Sequence, residues 1–181
     1  TALHISMYLV VDTVFNWRRM MDLSRQPLHH TPEHLVGIGF RGWLAGYEYH
    51  DIACWELVWN TYATALGPKK AKHAVTDLSA WVRTVRQTAH RPIKTLPAGC
   101  CCFCEDERTA ISIIAACQHN PCPALLVCAR TLLGSSDVDA MLEEAFDFAE
   151  LLAEAGQNLA LSSTCVMGCA DGDKNLKVHR H

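Results

Sequence analysis

The sequence lacks any apolar run long enough to cross a membrane. A membrane-spanning helix needs about 20 consecutive, mostly uncharged apolar residues, and polar or charged residues interrupt every apolar stretch of this chain before that length. The stretch ALHISMYLVV near the N-terminus also lacks the basic flank and the small-residue cleavage site of a secretory signal peptide. We therefore expect an intracellular protein without a membrane span, in either the cytoplasm or the nucleus.

The sequence also lacks a convincing strand pattern, an internal repeat and a linker that would divide it. Half of its 181 residues are hydrophobic and 19 % are charged, which is typical of a folded domain and not of a disordered chain. Apolar residues recur at spacings of three and four, which indicates helices. We predict an all-α fold with a single domain of about six helices over residues 1–160 and a partly mobile tail over residues 161–181.

Capping residues predict where the helices begin and end. Thr31, Pro32 and Glu33 are typical of a helix start, and Gly67 followed by proline is typical of a stop. We predict one long helix between them, regular from about residue 40, and we expect its aromatic-rich stretch 40–66 to be the central helix of the domain. The other predicted helices cover residues 3–23, 68–91, 105–118, 121–133 and 137–155.

No complete catalytic motif is present. Residues 37–42 match the letters of the dinucleotide-binding G-x-G-x-x-G motif, but no strand precedes them, as that motif requires. Close helix packing explains these glycines more simply. The chain also lacks a Ser/His/Asp order, a phosphate loop and a metalloprotease motif, so we lean towards a protein that is not an enzyme.

Cysteine is abundant and unevenly distributed. Six of the ten cysteines lie in residues 98–122, where Cys101 and Cys104 form a C-x-x-C pair and Cys117 and Cys122 form a second pair. Two thiol pairs separated by a spacer are the usual layout of a structural zinc site. We predict that these four residues bind zinc, with His119 as a substitute ligand for Cys117.

Other interpretations of the cysteines stay open. Cysteine packs as a small hydrophobic residue, which suits Cys117 in the apolar run AISIIAAC. The cluster from Cys100 to Cys104 could instead hold a reactive thiolate or an iron–sulfur cluster, which would make the chain a redox protein or an enzyme. The acids at 105–107 oppose thiolate activation, since a nearby negative charge raises a thiol pKa. Cys165 and Cys169 form a further C-x3-C pair in the tail.

Charge is segregated along the chain, although the formal net charge is only −3. Residues 69–94 contain seven Lys or Arg residues and one acid, whereas residues 105–154 contain ten acids and two Arg residues. Basic residues along a helix can neutralise phosphates or an acidic surface. We predict a macromolecule-binding face that consists of Lys69, Lys70, Lys72, Arg83 and Arg86.

The expected function is that of a helical interaction or regulatory protein, clamped by zinc, that binds another macromolecule. A protein partner is favoured, and nucleic acid is the alternative partner for the basic segment 69–94. A redox protein using Cys100 to Cys104 is one alternative function. A small-molecule-binding domain, whose pocket the tryptophans and glycines of residues 39–62 would line, is another. The abundance of tryptophan also leaves a homodimer open.

Overall fold

The computed structural model describes residues 31–119, 123–160 and 163. The predicted helix over residues 3–23 and nearly all of the predicted tail lie outside these residues. The described part contains six helices and no strand, which confirms the all-α prediction. The helices are α1 (Pro32–Tyr49), α2 (Ile52–Leu66), α3 (Pro68–Thr88), α4 (Glu105–Gln118), α5 (Pro123–Leu133) and α6 (Asp139–Glu154). None of these six is long and apolar enough to span a bilayer.

The predicted long helix between Thr31 and Gly67 is two helices, so that prediction was wrong. His50 adopts a left-handed backbone conformation (φ 53°) that ends α1. Asp51 then caps α2, because its Oδ1 accepts a hydrogen bond from the backbone N–H of Ala53 at 2.9 Å. The chain reverses at this corner, and the Tyr62 hydroxyl near the end of α2 donates to the Leu35 carbonyl near the start of α1.

α1 is largely enclosed, whereas the aromatic-rich stretch 40–66 does not form one central helix. Its residues from Leu35 to Gly46 are buried apart from Trp43, and it packs against α2, α3 and α4. The helix is regular from Pro32 onwards. Its glycines allow aromatic side chains to approach it closely. A Cβ atom on Gly39 would lie 2.5 Å from the Tyr62 hydroxyl, and one on Gly46 would overlap the Trp55 ring.

The core is continuous across all six helices, as a single domain requires. Its centre is a row of three fully buried aromatic rings in which Trp81 of α3 lies between Phe40 of α1 and Phe148 of α6. The ring centroids of Trp81 are 5.4 Å from Phe40 and 5.8 Å from Phe148. Aromatic pairs at such distances add stability beyond the burial of their surface.

The remaining helices keep close to their predicted limits. The prediction for α4 matches the structure, and α3 ends at Thr88, three residues before the predicted end. α6 begins at Asp139 instead of Asp137, whose backbone N–H is bound by Ser135 Oγ in the preceding turn. The predicted cap of α5, Asn120, lies outside the described residues.

Substitution of Gly39 tests the close packing of α1 and α2. We expect Gly39→Ala to lower the free energy of unfolding by about 1 to 3 kcal/mol, because the added methyl group overpacks the Tyr62 and Leu78 side chains. Urea denaturation of the single and double variants measures this cost. In a Tyr62→Phe background the cost should be smaller, since the hydroxyl is gone, and an equal cost in both backgrounds would contradict the proposed contact.

Candidate functional site

The cysteine-rich stretch forms the last part of the connection from α3 to α4. Cys101 and Cys102 are exposed, Cys100 and Cys104 are partly buried, and Cys104 is the N-cap residue of α4. The Cys104 thiol donates a hydrogen bond to the Lys94 carbonyl at 3.1 Å. The connection therefore presents adjacent thiols at the surface of the protein. We call residues 94–104 the cysteine loop.

A buried arginine binds the backbone of this loop. Arg41 of α1 is 1 % exposed, and its guanidinium donates to the carbonyls of Cys100 (2.9 Å), Cys102 (2.6 Å) and Pro97 (3.4 Å). The same guanidinium forms a bidentate pair with the fully buried Glu107 carboxylate, at 2.6 and 3.0 Å. Its ring contact is Phe103, whose centroid lies 5.1 Å from the guanidinium carbon. Arg41 thereby joins α1, α4 and the loop.

Two carboxylates at the start of α4 bind backbone amides of the loop. Glu107 accepts hydrogen bonds from the N–H groups of Leu96 (3.1 Å) and Cys104 (2.8 Å), the second of which completes a capping box. Asp106 accepts one from the N–H of Lys94 at 2.7 Å. Acids in the first turn of a helix also interact favourably with its dipole. The loop is therefore held by side chains of α4 as well as by Arg41.

Asp106 also forms a bidentate ion pair with Arg91, at 2.6 and 3.0 Å. Burial raises the pKa of the Asp106 carboxyl, but hydrogen bonds from Arg91 and from the Lys94 amide lower it by more, so the net pKa lies below its usual value. An open cleft of about 350 Å³ lies beside this pair and includes Lys94, Cys104 and Thr131 in its lining.

The structure does not bring the predicted zinc ligands together. Cys104 and Cys117 lie at opposite ends of α4, which places their Cα atoms about 20 Å apart at 1.5 Å per residue, whereas zinc lies about 2.3 Å from each thiolate it binds. In the described ranges no three Cys, His, Asp or Glu side chains are placed to hold a metal ion. Cys122 lies outside those ranges. Zinc binding stays a prediction, and in the described structure Arg41 and Glu107 bind the backbone of the cysteine loop.

The environments of the thiols differ sharply. Burial raises the pKa of Cys117 to about 12 and that of Cys54 to about 11, with Asp51 adding to the second shift. The pKa of Cys104 is also raised, first by burial and then by the neighbouring Glu107 charge, although backbone hydrogen bonds oppose the shift. None of these three is an activated thiolate near neutral pH, because thiolate reactivity requires a lowered pKa.

The His119 ring binds the backbone of the segment that follows α6. Its Nε2 lies 2.6 Å from the Leu159 carbonyl, which leaves only Nδ1 for any metal. Its neighbour Gln118 donates to the carbonyls of Ala149 and Gln157 and accepts from the N–H of Leu159. The end of α4 thus fixes the chain that follows α6, with the Leu159 side chain buried.

All five predicted macromolecule-binding residues are exposed. Lys69 and Lys72 are three residues apart, as are Arg83 and Arg86, and eleven residues, or about three helical turns, separate Lys72 from Arg83. These four therefore lie on one face of α3, which we call the basic face. Lys70 points elsewhere, into a cleft with Glu154 and Leu151 of α6.

The positive charge of the basic face is not neutralised by ion pairs within the described structure. The two ion pairs found there, Arg41–Glu107 and Arg91–Asp106, involve none of its members. Asp77 is the one acid in the segment 69–94. Its pKa is raised, first by burial and then by the Asp147 carboxylate, which places Asp77 on the side of α3 that packs against α6. The acidic sixth helix therefore does not neutralise the basic face.

Aromatic residues continue this face onto α1 and α2. The guanidinium of Arg86 lies 5.3 Å from the centroid of Tyr47, and the Tyr47 ring meets Trp55 edge-on at 5.4 Å. Trp55 stacks on Trp43 at 5.6 Å, and its Nε1 donates to the Trp43 carbonyl at 3.2 Å. Gly46 packs against Trp55, and Gly39 packs against Tyr62 and Leu78. This packing fills the space beside Gly39 and Gly46 that a small-molecule pocket would need.

Sequence reasoning missed Arg41 and the roles of Asp106 and Glu107. The available signals were a single arginine within the apolar, glycine-rich stretch GIGFRGWLAG and an acid at the third position after Cys104. No family model, curated protein or solved structure matches the chain. The candidate sites therefore rest on geometry and chemistry alone.

Removing one member of the buried Arg41–Glu107 pair should strongly destabilise the protein. We expect Glu107→Ala to lower the free energy of unfolding by about 3 to 5 kcal/mol, because it leaves the Arg41 charge buried without its counter-ion. Urea denaturation measures the loss. The exposed Glu105→Ala serves as a control and should change stability by less than about 1 kcal/mol. Equal losses in both variants would contradict the role assigned to Glu107.

Alkylation rates should separate the thiols by exposure. With iodoacetamide at neutral pH we expect the exposed Cys101 and Cys102 to react first. The partly buried Cys117 should react more slowly, because burial raises its thiol pKa, and the buried Cys54 and Cys128 should react only when the protein unfolds. Mass spectrometry of peptides from native and urea-treated protein measures the order. Labelling of Cys117 in the native protein as fast as Cys101 would contradict the described burial.

Proposed function

We propose that this chain is a helical interaction protein that binds an acidic region of another macromolecule through the basic face of α3. The observation that carries the proposal is that Lys69, Lys72, Arg83 and Arg86 share one exposed face and have no carboxylate partner among the described residues. The acids of α6 form no ion pair with this face.

The length of the basic face and the single sign of its charges support the proposal. The four cations extend about 25 Å along α3, because the residues from 69 to 86 rise about 1.5 Å each. A row of one sign attracts an extended chain of the opposite sign and speeds its association at low salt. All four cations lie on one continuous helix, Pro68–Thr88, which keeps them in a row.

Zinc at the cysteine loop is retained as a separate proposal about stability. Of the predicted ligands, Cys101 is exposed and Cys104 and Cys117 are partly buried, and the binding proposal does not depend on them. The redox alternative receives less support, because Cys104 is held as a thiol by burial and by Glu107. For the same reason we place the function at the basic face and not at the loop.

Charge reversal on the basic face tests the proposal. We expect the variant Lys69→Glu, Lys72→Glu, Arg83→Glu, Arg86→Glu to bind a fluorescent glutamate 20-mer and a uridine 20-mer at least ten times more weakly than the native protein in 50 mM salt. Fluorescence anisotropy measures both affinities, and circular dichroism confirms that the variant folds.

A matched control carries the same charge change at other exposed cations. It combines Lys70→Glu, Lys94→Glu, Arg108→Glu and Arg130→Glu, all of which lie off the basic face. The control should keep most of the native affinity. Native protein that binds neither polyanion, or a control that loses as much affinity as the basic-face variant, would contradict the proposed function.

A further inference from the structure

Large apolar side chains are exposed on α2 next to the basic face. Ile52 is 66 % exposed and Trp59 is 38 % exposed, and Trp55 between them is partly buried. Positions 52, 55 and 59 have the spacing i, i+3, i+7, so they lie on one side of the helix. Cys54 and Leu57 are buried on the opposite side of α2, and Val58 and Tyr62 are buried between the two sides. We call Ile52, Trp55 and Trp59 the apolar ridge.

The apolar ridge and the basic face are parts of one surface. Tyr47 touches both, since its ring contacts Trp55 at 5.4 Å and receives the Arg86 guanidinium at 5.3 Å. The helices α2 and α3 are joined by the single residue Gly67 and pack against each other. A partner that covers the end of α3 near Arg86 therefore also covers the start of α2.

This surface matches one kind of partner in charge and in shape. Resting on the proposed function, we infer that the partner is an acidic amphipathic helix of another protein. Its apolar stripe lies on the ridge formed by Ile52 and Trp59, and its carboxylates face Arg83 and Arg86. Helices that dock in this way place apolar anchors at spacings of three, four and seven residues, which span the same two turns as the ridge.

The chemistry of the ridge favours a protein over nucleic acid. A nucleobase binds by stacking on an open aromatic ring, but the most exposed member of the ridge is the aliphatic Ile52. The Trp55 ring is already stacked on Trp43 and touched by Tyr47. Exposed Trp, Tyr and Arg together are also the residues that dominate binding energy in protein interfaces. Apolar side chains of a protein partner would bury the exposed surface of Ile52 and Trp59, and this burial would stabilise the complex.

One acid at the edge of the ridge should restrict the partner. Glu56 is exposed and lies four residues after Ile52 and three before Trp59 on α2. A partner carboxylate next to Glu56 would be repelled, so the acids of the bound helix belong on the side of Arg83 and Arg86. Glu56→Gln should therefore tighten the binding of an evenly acidic helix.

Two peptides of identical composition test the inference on the full chain. One is a 21-residue helix with leucines at positions that repeat every three and four residues and with glutamates elsewhere, and the other carries the same residues in scrambled order. We expect the native protein to bind the amphipathic peptide at least ten times more tightly than the scrambled one. The variant Ile52→Ser, Trp59→Ser should lose this preference and keep its affinity for the scrambled peptide.

The control variant Leu126→Ser, Val127→Ser removes exposed apolar residues on α5 instead and should keep the preference. Equal binding of both peptides, tighter binding of a uridine 20-mer, or sedimentation showing that a second copy of the chain covers the ridge would each overturn the inference. Those outcomes leave the proposed function standing as long as charge reversal on the basic face weakens binding. If no polyanion bound to the native protein, both the inference and the proposed function would be contradicted.

Discussion

The buried pair of Arg41 and Glu107 is the interaction on which the rest of the structure depends. A charged pair removed from water is stable only when nearly all of its hydrogen-bonding capacity is used, and here the guanidinium and carboxylate also bind carbonyls and amides of the cysteine loop. The pair therefore couples the order of the loop to the contact between α1 and α4. Because α1 also supports α2 and α3, the same pair underlies the surface that we propose for binding.

Charged side chains therefore have two separate roles in this domain. Arg41 and Glu107 form a fully buried pair, and Asp106 pairs with the partly exposed Arg91. Outside, the basic face of α3 carries cations without matching acids among the described residues. Matched charges hold a structure in place, whereas unmatched charges on a rigid helix remain available to a partner. The total charge is near neutral because the acids are concentrated in residues 105–154, away from the basic face.

Local signals in the sequence predicted the helices well, because caps and apolar spacing act over a few residues. Thr31 with Pro32, and Gly67 with Pro68, marked true helix ends. The corner at His50 and Asp51 was missed, since histidine is not a usual left-handed residue and the apolar spacing continues through it. The basic face was visible as a run of cations. The Arg41 clamp was not, because its partners lie 56 to 66 residues away. The cysteine spacing suggested zinc, although the intervening helix holds Cys104 and Cys117 apart.

The central claim is that side chains of α1 and α4 hold the cysteine loop in place. Amide hydrogen exchange in chelator-treated protein tests it most directly at Lys94, Leu96 and Cys104, whose N–H groups donate to Asp106 and Glu107. We predict slow exchange at all three positions, unchanged when zinc is added back. Fast exchange in the chelated protein that zinc makes slow would contradict the account and restore the metal clamp.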